Sequence, residues 1–153
     1  MKTGDTAPDF ELADDTGTRR TLSGLLADGP VVLFFYPLAS SGGCTQESCH
    51  FRDLAGEFAA VGVQRVGISA DSVEEQHAFS TTNAFDYPLL SDPGGEVAAR
   101  FGAKRSWLPV LPIKRKTFVI DTDRTVLGVI GGEMKFDRHA DDALALLRSR
   151  QGA

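Results

Sequence analysis

Pro30-Val31-Val32-Leu33-Phe34-Phe35-Tyr36-Pro37-Leu38-Ala39-Ser40-Ser41-Gly42-Gly43-Cys44 is where a buried strand hands over to a helix. From Val31 to Tyr36 every side chain is apolar, β-branched or aromatic, the composition of a strand covered on both faces. Pro37 carries no N–H and cannot extend a central ladder, so the strand is expected to end there. Small polar residues follow as a loop. From about Cys44 the apolar positions Phe51, Leu54, Phe58 and Val61 recur at helical spacing, so a helix is expected to open on the cysteine.

On the N-terminal side, Thr6 to Leu12 alternates in part and runs into the turn-rich Asp14-Asp15-Thr16-Gly17, predicting a short strand and a hairpin. Thr21 to Leu26 reads as a brief helix. On the C-terminal side, Gln64 to Ser69 predicts a second buried strand. Val73 to Asn83 predicts an amphipathic helix with Asp71 and Ser72 as capping residues. Tyr87 to Leu90 and Glu96 to Phe101 follow as a short strand and a short helix, and Trp107 to Ile113 as a loop punctuated by Pro109 and Pro112. Thr117 to Ile120 and Thr125 to Ile130, joined by Asp121-Thr122-Asp123-Arg124, read as a hairpin, and a last helix spans His139 to Arg150. This order predicts one α/β domain over residues 1–153, with an N-terminal hairpin and a mixed central sheet flanked by helices. That is the layout of a thioredoxin-like fold.

The formal net charge of −5 argues against nucleic acid as a partner, because phosphate binding needs a clustered positive surface. Lys114, Arg115 and Lys116 form the one basic cluster, which taken alone reads as a solvated loop. The opening residues Met1-Lys2-Thr3-Gly4-Asp5 lack the apolar stretch of a secretory signal, and no run approaches membrane-spanning length. A cytoplasmic protein is therefore expected, with no membrane partner. In a reducing compartment the two cysteines, Cys44 and Cys49, are inert thiols, metal ligands or redox partners rather than a permanent bridge.

A cysteine reacts as its thiolate, and a helix N-terminus favours that form through its unpaired N–H groups and the positive end of its dipole. Position alone is equally compatible with Cys44 as a small buried hydrophobe. The surrounding pattern is more specific: Pro37, Ser41 and Cys44 stand as Pro-x-x-x-Ser-x-x-Cys directly after a buried strand. This resembles the active-site motif of the peroxiredoxins. Phe35-Tyr36-Pro37, Gly43-Cys44-Thr45, the second cysteine five positions on, and Arg52-Asp53 resemble its bacterioferritin-comigratory protein branch, also called peroxiredoxin Q. Gly67-Ile68-Ser69, Leu90-Ser91-Asp92 and Lys116-Thr117-Phe118-Val119-Ile120-Asp121 extend the likeness over nearly the whole chain.

The resemblance implies an antioxidant thiol peroxidase that reduces hydrogen peroxide and organic hydroperoxides to water or alcohols. Cys44 would be the attacking thiolate, Ser41 would hydrogen-bond the thiolate and the peroxide, and Pro37 would shield the pocket from water. Arg115 matches the active-site arginine of the family, and a guanidinium suits that task because it stays charged and can hold a peroxide oxygen as the O–O bond polarises. The amides of Gly43 and Cys44 would add donors. Two positions depart from the family's usual pattern, Ser41 in place of threonine and Gly42 in place of proline, and both loosen the loop.

Cys49 would then condense with the Cys44 sulfenic acid to give an intramolecular disulfide. On one regular helix the two Cα atoms lie roughly 8.6 Å apart, beyond the roughly 7 Å that a bridge tolerates, so the first turns would unwind in each cycle. A thioredoxin-like dithiol would recycle the enzyme, with no metal or organic cofactor, and this branch is often monomeric. The alternatives are a protein disulfide oxidoreductase, which usually spaces its cysteines Cys-x-x-Cys, and a metal-binding module on Cys44, Cys49, His50 and His77. His50, His77 and His139 are assigned no role, Trp107 is read as a packing residue, and Glu47 with Arg52 as a weak charge pair on the helix surface.

Overall fold

The computed structural model describes residues 1–104 and 113–151, so Trp107, Pro109 and Pro112 lie outside the described residues. Its strands are β1 (Glu11–Asp14), β2 (Arg19–Thr21), β3 (Val31–Phe35), β4 (Gln64–Ser69), β5 (Leu89–Ser91), β6 (Lys116–Ile120) and β7 (Val126–Gly131). Its helices are α1 (Leu22–Leu26), α2 (Gly42–Asp53), α3 (Ala55–Ala60), α4 (Val73–Asn83), α5 (Glu96–Arg100) and α6 (Arg138–Gln151). The sheet order is β2-β1-β5-β4-β3-β6-β7. β3, β4 and β5 run parallel, while β1, β6 and β7 pair antiparallel with their neighbours, giving the expected mixed sheet.

β3 lies between β4 and β6, and all five of its residues are buried. Its alternation divides the core. Val31, Leu33 and Phe35 pack with Leu22, Phe101 and Phe118 on one face, and Val32, Phe34 and Tyr36 pack with Cys44, Phe51 and Phe79 on the other. Phe34 stacks on Phe51 with ring centroids 4.1 Å apart, which seats α2 on the sheet. Antiparallel pairing sets Phe35 opposite Lys116. The residue just before β6, Arg115, is thereby delivered to the same end of the sheet as the loop that leaves β3.

Several boundaries differ from the sequence reading by a residue or two, α2 opening at Gly42 rather than Cys44 among them, and three departures matter more. The first strand begins at Glu11, and Thr6 contributes only an isolated bridge to Thr125, at the other end of the sheet from the partners of β1. The helix expected to continue to Val61 breaks at Leu54 (φ −93°, ψ 20°). There Arg65 Nη1 donates to the Phe51 carbonyl at 2.8 Å, occupying an acceptor that a continuous helix would use internally. Of the two capping residues expected for α4, Ser72 forms a reciprocal capping box with Glu75. Asp71 turns inward instead and accepts from the Ala39 amide at 2.8 Å and the Ser69 hydroxyl at 2.6 Å, which ties the cysteine loop to β4.

Candidate active site

Ser41 caps α2. Its extended backbone (φ −72°, ψ 157°) precedes the first turn, and its Oγ accepts from the Cys44 amide at 3.4 Å while donating to the Leu38 carbonyl at 2.9 Å. Ser40 before it is held in the left-handed region at φ 64°, a conformation that the loop imposes on a non-glycine residue. Cys44 thus sits in the first turn of a twelve-residue helix, fully buried against the sheet. Beside it opens a cavity of about 330 Å³, lined by the polar Ser41, Arg115 and Glu133, by Gly43, and by the apolar Pro37, Leu38, Met134 and Phe136.

Arg115 organises this site. Nη2 donates to Cys44 Sγ at 3.3 Å, Nη1 to Glu47 Oε1 at 2.8 Å, and Nε to the Glu133 carbonyl at 2.9 Å. Its own backbone amide donates to the Glu133 carboxylate at 3.1 Å. The Phe136 ring covers the guanidinium at 4.8 Å. Burial alone would lower the Arg115 pKa, but the Glu47 and Cys44 charges outweigh it and raise the value further. The side chain is therefore a permanent cation with its planar head locked in place. Of the basic triplet only Arg115 is buried, so the solvated-loop reading fails at this residue.

Glu47 departs most from its expected place. Rather than forming a surface pair with Arg52, it is 0% exposed, one turn below Cys44, and bonded to Arg115. Arg52 instead pairs with Asp53 at 2.9 Å and donates to the Asn83 carbonyl at 2.7 Å. Burial pushes the Glu47 carboxyl up to about 8, against the lowering influence of Arg115. His139, assigned no role from the sequence, is fully buried. Its Nδ1 lies 2.7 Å from Thr117 Oγ1 and 3.6 Å from Glu47 Oε2, and its Nε2 lies 2.9 Å from the Gly132 carbonyl.

A family model, the AhpC/TSA family, matches residues 3–129. The chain is a peroxiredoxin of the AhpC/TSA family. It is 64% identical to a peroxiredoxin of Mycobacterium tuberculosis over 150 residues, 97% of each chain. It is 37% identical to the chloroplastic peroxiredoxin Q of Sedum lineare over 95% of this chain and 77% of that one. The crystal structure of the peroxidoxin BcpB of Mycobacterium tuberculosis superposes with a TM-score of 0.93 at 64% identity over 97% of each chain. The bacterioferritin comigratory protein of Xanthomonas campestris, studied for alkyl peroxide reduction, superposes at 0.83 with 32% identity over 92% and 91% of the two chains. This peroxiredoxin is accordingly a thiol-dependent peroxidase with a thioredoxin-like α/β fold.

The remaining cysteine and histidines of the peroxiredoxin have separate surroundings. Cys49 Sγ lies 3.6 Å from Asn83 Oδ1 on α4, His50 faces Asp141 of α6 at 2.7 Å, and His77 faces the Asp15 carbonyl at 3.1 Å. Among the described residues no cluster of three or more His, Cys, Asp or Glu side chains is arranged to hold a metal ion. Sequence reasoning missed Phe136, Glu133, Glu47, Thr117 and His139. Glu47 alone carried a signal, since position i+3 from Cys44 shares its helix face. Phe136 also gives Gly43 its reason, because a methyl group at that α-carbon would overlap the Phe136 ring.

Proposed function

We propose that this peroxiredoxin reduces hydrogen peroxide and organic hydroperoxides through Cys44, resolved by Cys49 and recycled by a thioredoxin-like dithiol. The observation that carries this reading is the Arg115 Nη2 to Cys44 Sγ contact at 3.3 Å beneath an open cavity. The Cys44 thiolate attacks the terminal peroxide oxygen, the O–O bond breaks, and the departing alkoxide or hydroxide takes a proton to become alcohol or water. Arg115 and the amides of Gly43 and Cys44 receive the charge that develops on the peroxide oxygens. Ser41 releases the Leu38 carbonyl and turns its hydroxyl proton toward the sulfur and the peroxide, while Pro37 keeps bulk water from the thiolate. The apolar wall of Leu38, Met134 and Phe136 accommodates the organic group of a hydroperoxide.

The sulfenic acid of Cys44 then condenses with the Cys49 thiol, releasing water and forming the disulfide. Both cysteines belong to α2, and regular helix geometry holds their Cα atoms roughly 8.6 Å apart, so its first turns unwind at this step. The same proposal reads residues 1–153 as one domain acting as a cytoplasmic monomer. In its favour, the exposed large apolar side chains among the described residues, Leu38 at 44% and Met134 at 79%, both belong to the pocket mouth. No helix among the described residues is long and apolar enough to cross a membrane.

The test is titration of reduced protein with one equivalent of hydrogen peroxide, followed by intact mass and free-thiol determination. Both thiols are expected to disappear with loss of two hydrogens, an outcome abolished in Cys44→Ser and replaced by a sulfenic acid in Cys49→Ser. Wild-type protein that keeps both thiols would overturn the reading, and a sulfenic acid that persists in wild type would remove Cys49 from it.

A further inference from the structure

Behind the cavity, one guanidinium serves two acidic groups. Arg115 reaches Cys44 Sγ through Nη2 and Glu47 Oε1 through Nη1, so thiolate and carboxylate compete for a single positive charge. The donors around the second carboxyl oxygen decide between them. Glu47 Oε2 is buried and receives no hydrogen bond. His139 Nδ1 lies 3.6 Å from it. The Gly132 carbonyl can only accept, so the 2.9 Å contact places the imidazole proton on Nε2 and leaves Nδ1 bare. The Thr117 hydroxyl, 2.7 Å away, then donates to Nδ1. With the Thr117 proton already on Nδ1, a carboxylate at Glu47 would direct a desolvated anionic oxygen at an edge that offers it no donor, whereas a carboxylic acid places no charge there.

We propose that His139 and Thr117 hold Glu47 as an uncharged carboxylic acid, leaving the Arg115 guanidinium to the Cys44 thiolate alone. His139 is thus a positioning residue that acts through Glu47 on Arg115 and touches no reacting atom. The inference rests on the reading of Cys44 as the reactive thiol. With one proton on the carboxyl, thiolate and guanidinium cancel and the buried site is neutral; the alternative microstate, thiol with carboxylate, is equally neutral but chemically idle. Once the carboxyl ionises, Glu47 takes the guanidinium back. The groups facing this carboxyl are Cys44 on its own helix, Arg115 just before β6, Glu133 after β7, and His139 of α6 with Asp142 beside it. Glu133 raises the proton affinity of Glu47, and burial lowers that of His139, so both favour the same proton placement.

The test measures the second-order rate constant for Cys44 oxidation by hydrogen peroxide across pH, by rapid quench and intact mass. With a carboxyl that ionises at about 8, the wild-type constant is expected to fall about tenfold between about pH 7 and pH 9. In Glu47→Gln, whatever its level at neutral pH, the constant is expected to vary less than about twofold over that range. His139→Gln places an amide N–H where Nδ1 was bare, gives the carboxylate a donor, and is expected to move the decline to lower pH. A wild-type constant that holds level or rises, a decline that survives in Glu47→Gln, or one that His139→Gln leaves in place would each overturn the inference. If Glu47→Gln does not fold, the wild-type and His139→Gln profiles still decide it. Peroxide consumption that persists in Cys44→Ser would sink the underlying reading instead, independently of any profile.

Discussion

At the scale of single residues, the site depends on shape as much as on charge. Arg115 uses three nitrogens on three partners, the Cys44 sulfur, the Glu47 carboxyl and the Glu133 carbonyl, in the fixed plane of one guanidinium. A lysine ammonium keeps the charge but cannot span those directions. Arg115→Lys is expected to slow the peroxide reaction by on the order of 100-fold, and stopped-flow rates within about threefold of wild type would contradict this. Gly43 poses a steric requirement. Because an added methyl would meet the Phe136 ring that lies over Arg115, Gly43→Ala is expected to cost about 1–3 kcal/mol in denaturant unfolding and to slow the reaction. The double variant Gly43→Ala with Phe136→Leu should regain much of that stability; a double variant no better than the single one would argue against the contact as the cause.

Among the secondary elements, α2 has two tasks, to present Cys44 when folded and to release it for disulfide formation. Phe51 stacked on Phe34 anchors its C-terminal half in the core, so unwinding is cheapest at the N-terminal turns around Gly42 and Gly43. The opposing restraint comes from α4. Arg52 Nη1 donates to the Asn83 carbonyl at 2.7 Å, next to the left-handed Ala84 that ends α4, and Cys49 Sγ rests 3.6 Å from Asn83 Oδ1. Arg52→Ala is expected to loosen this clasp, speeding Cys44–Cys49 disulfide formation a few-fold and raising amide exchange over residues 44–52. Unchanged exchange in that segment would mean that the clasp does not restrain the helix.

For the whole molecule, the buried carboxyl links stability to pH. The folded Glu47 carboxyl titrates at about 8 against an ordinary value of 4.5, so the folded state keeps a proton that the unfolded chain has released. This group's stabilisation is complete below about 4.5 and is lost as pH rises toward about 8. His139 works in the opposite sense, since burial lowers its pKa and its contribution is lost as pH falls below the ordinary 6.5. Both Glu47→Gln and wild type keep His139, so their difference isolates the carboxyl. The melting temperature of Glu47→Gln minus that of wild type should rise steadily from about pH 5 to about pH 8; a difference that is flat or falling would contradict a protonated Glu47.

The mixed sheet, its central strand and the helix that carries the cysteine in its first turn were legible in the sequence, because each depends on local causes, although that helix opens at Gly42 and not at Cys44 itself. Six apolar side chains in a row from Val31 to Tyr36, a proline that cannot pair, and apolar spacing after Cys44 specify elements without reference to distant residues. The Pro37, Ser41 and Cys44 pattern also carried the family resemblance within a single loop. What only tertiary structure decided was the company of Cys44. Glu47, Arg115, Glu133, Phe136, Thr117 and His139 come from α2, the residue before β6, β6 itself, the segment after β7 and α6, and they meet because β6 pairs antiparallel with β3 and α6 packs over β6 and β7. Whether a charged residue forms a solvated pair or a buried one depends on which of its neighbours exclude water. For Glu47 those neighbours lie as far as ninety-two residues along the chain, at His139, beyond the reach of helical spacing or local charge pattern.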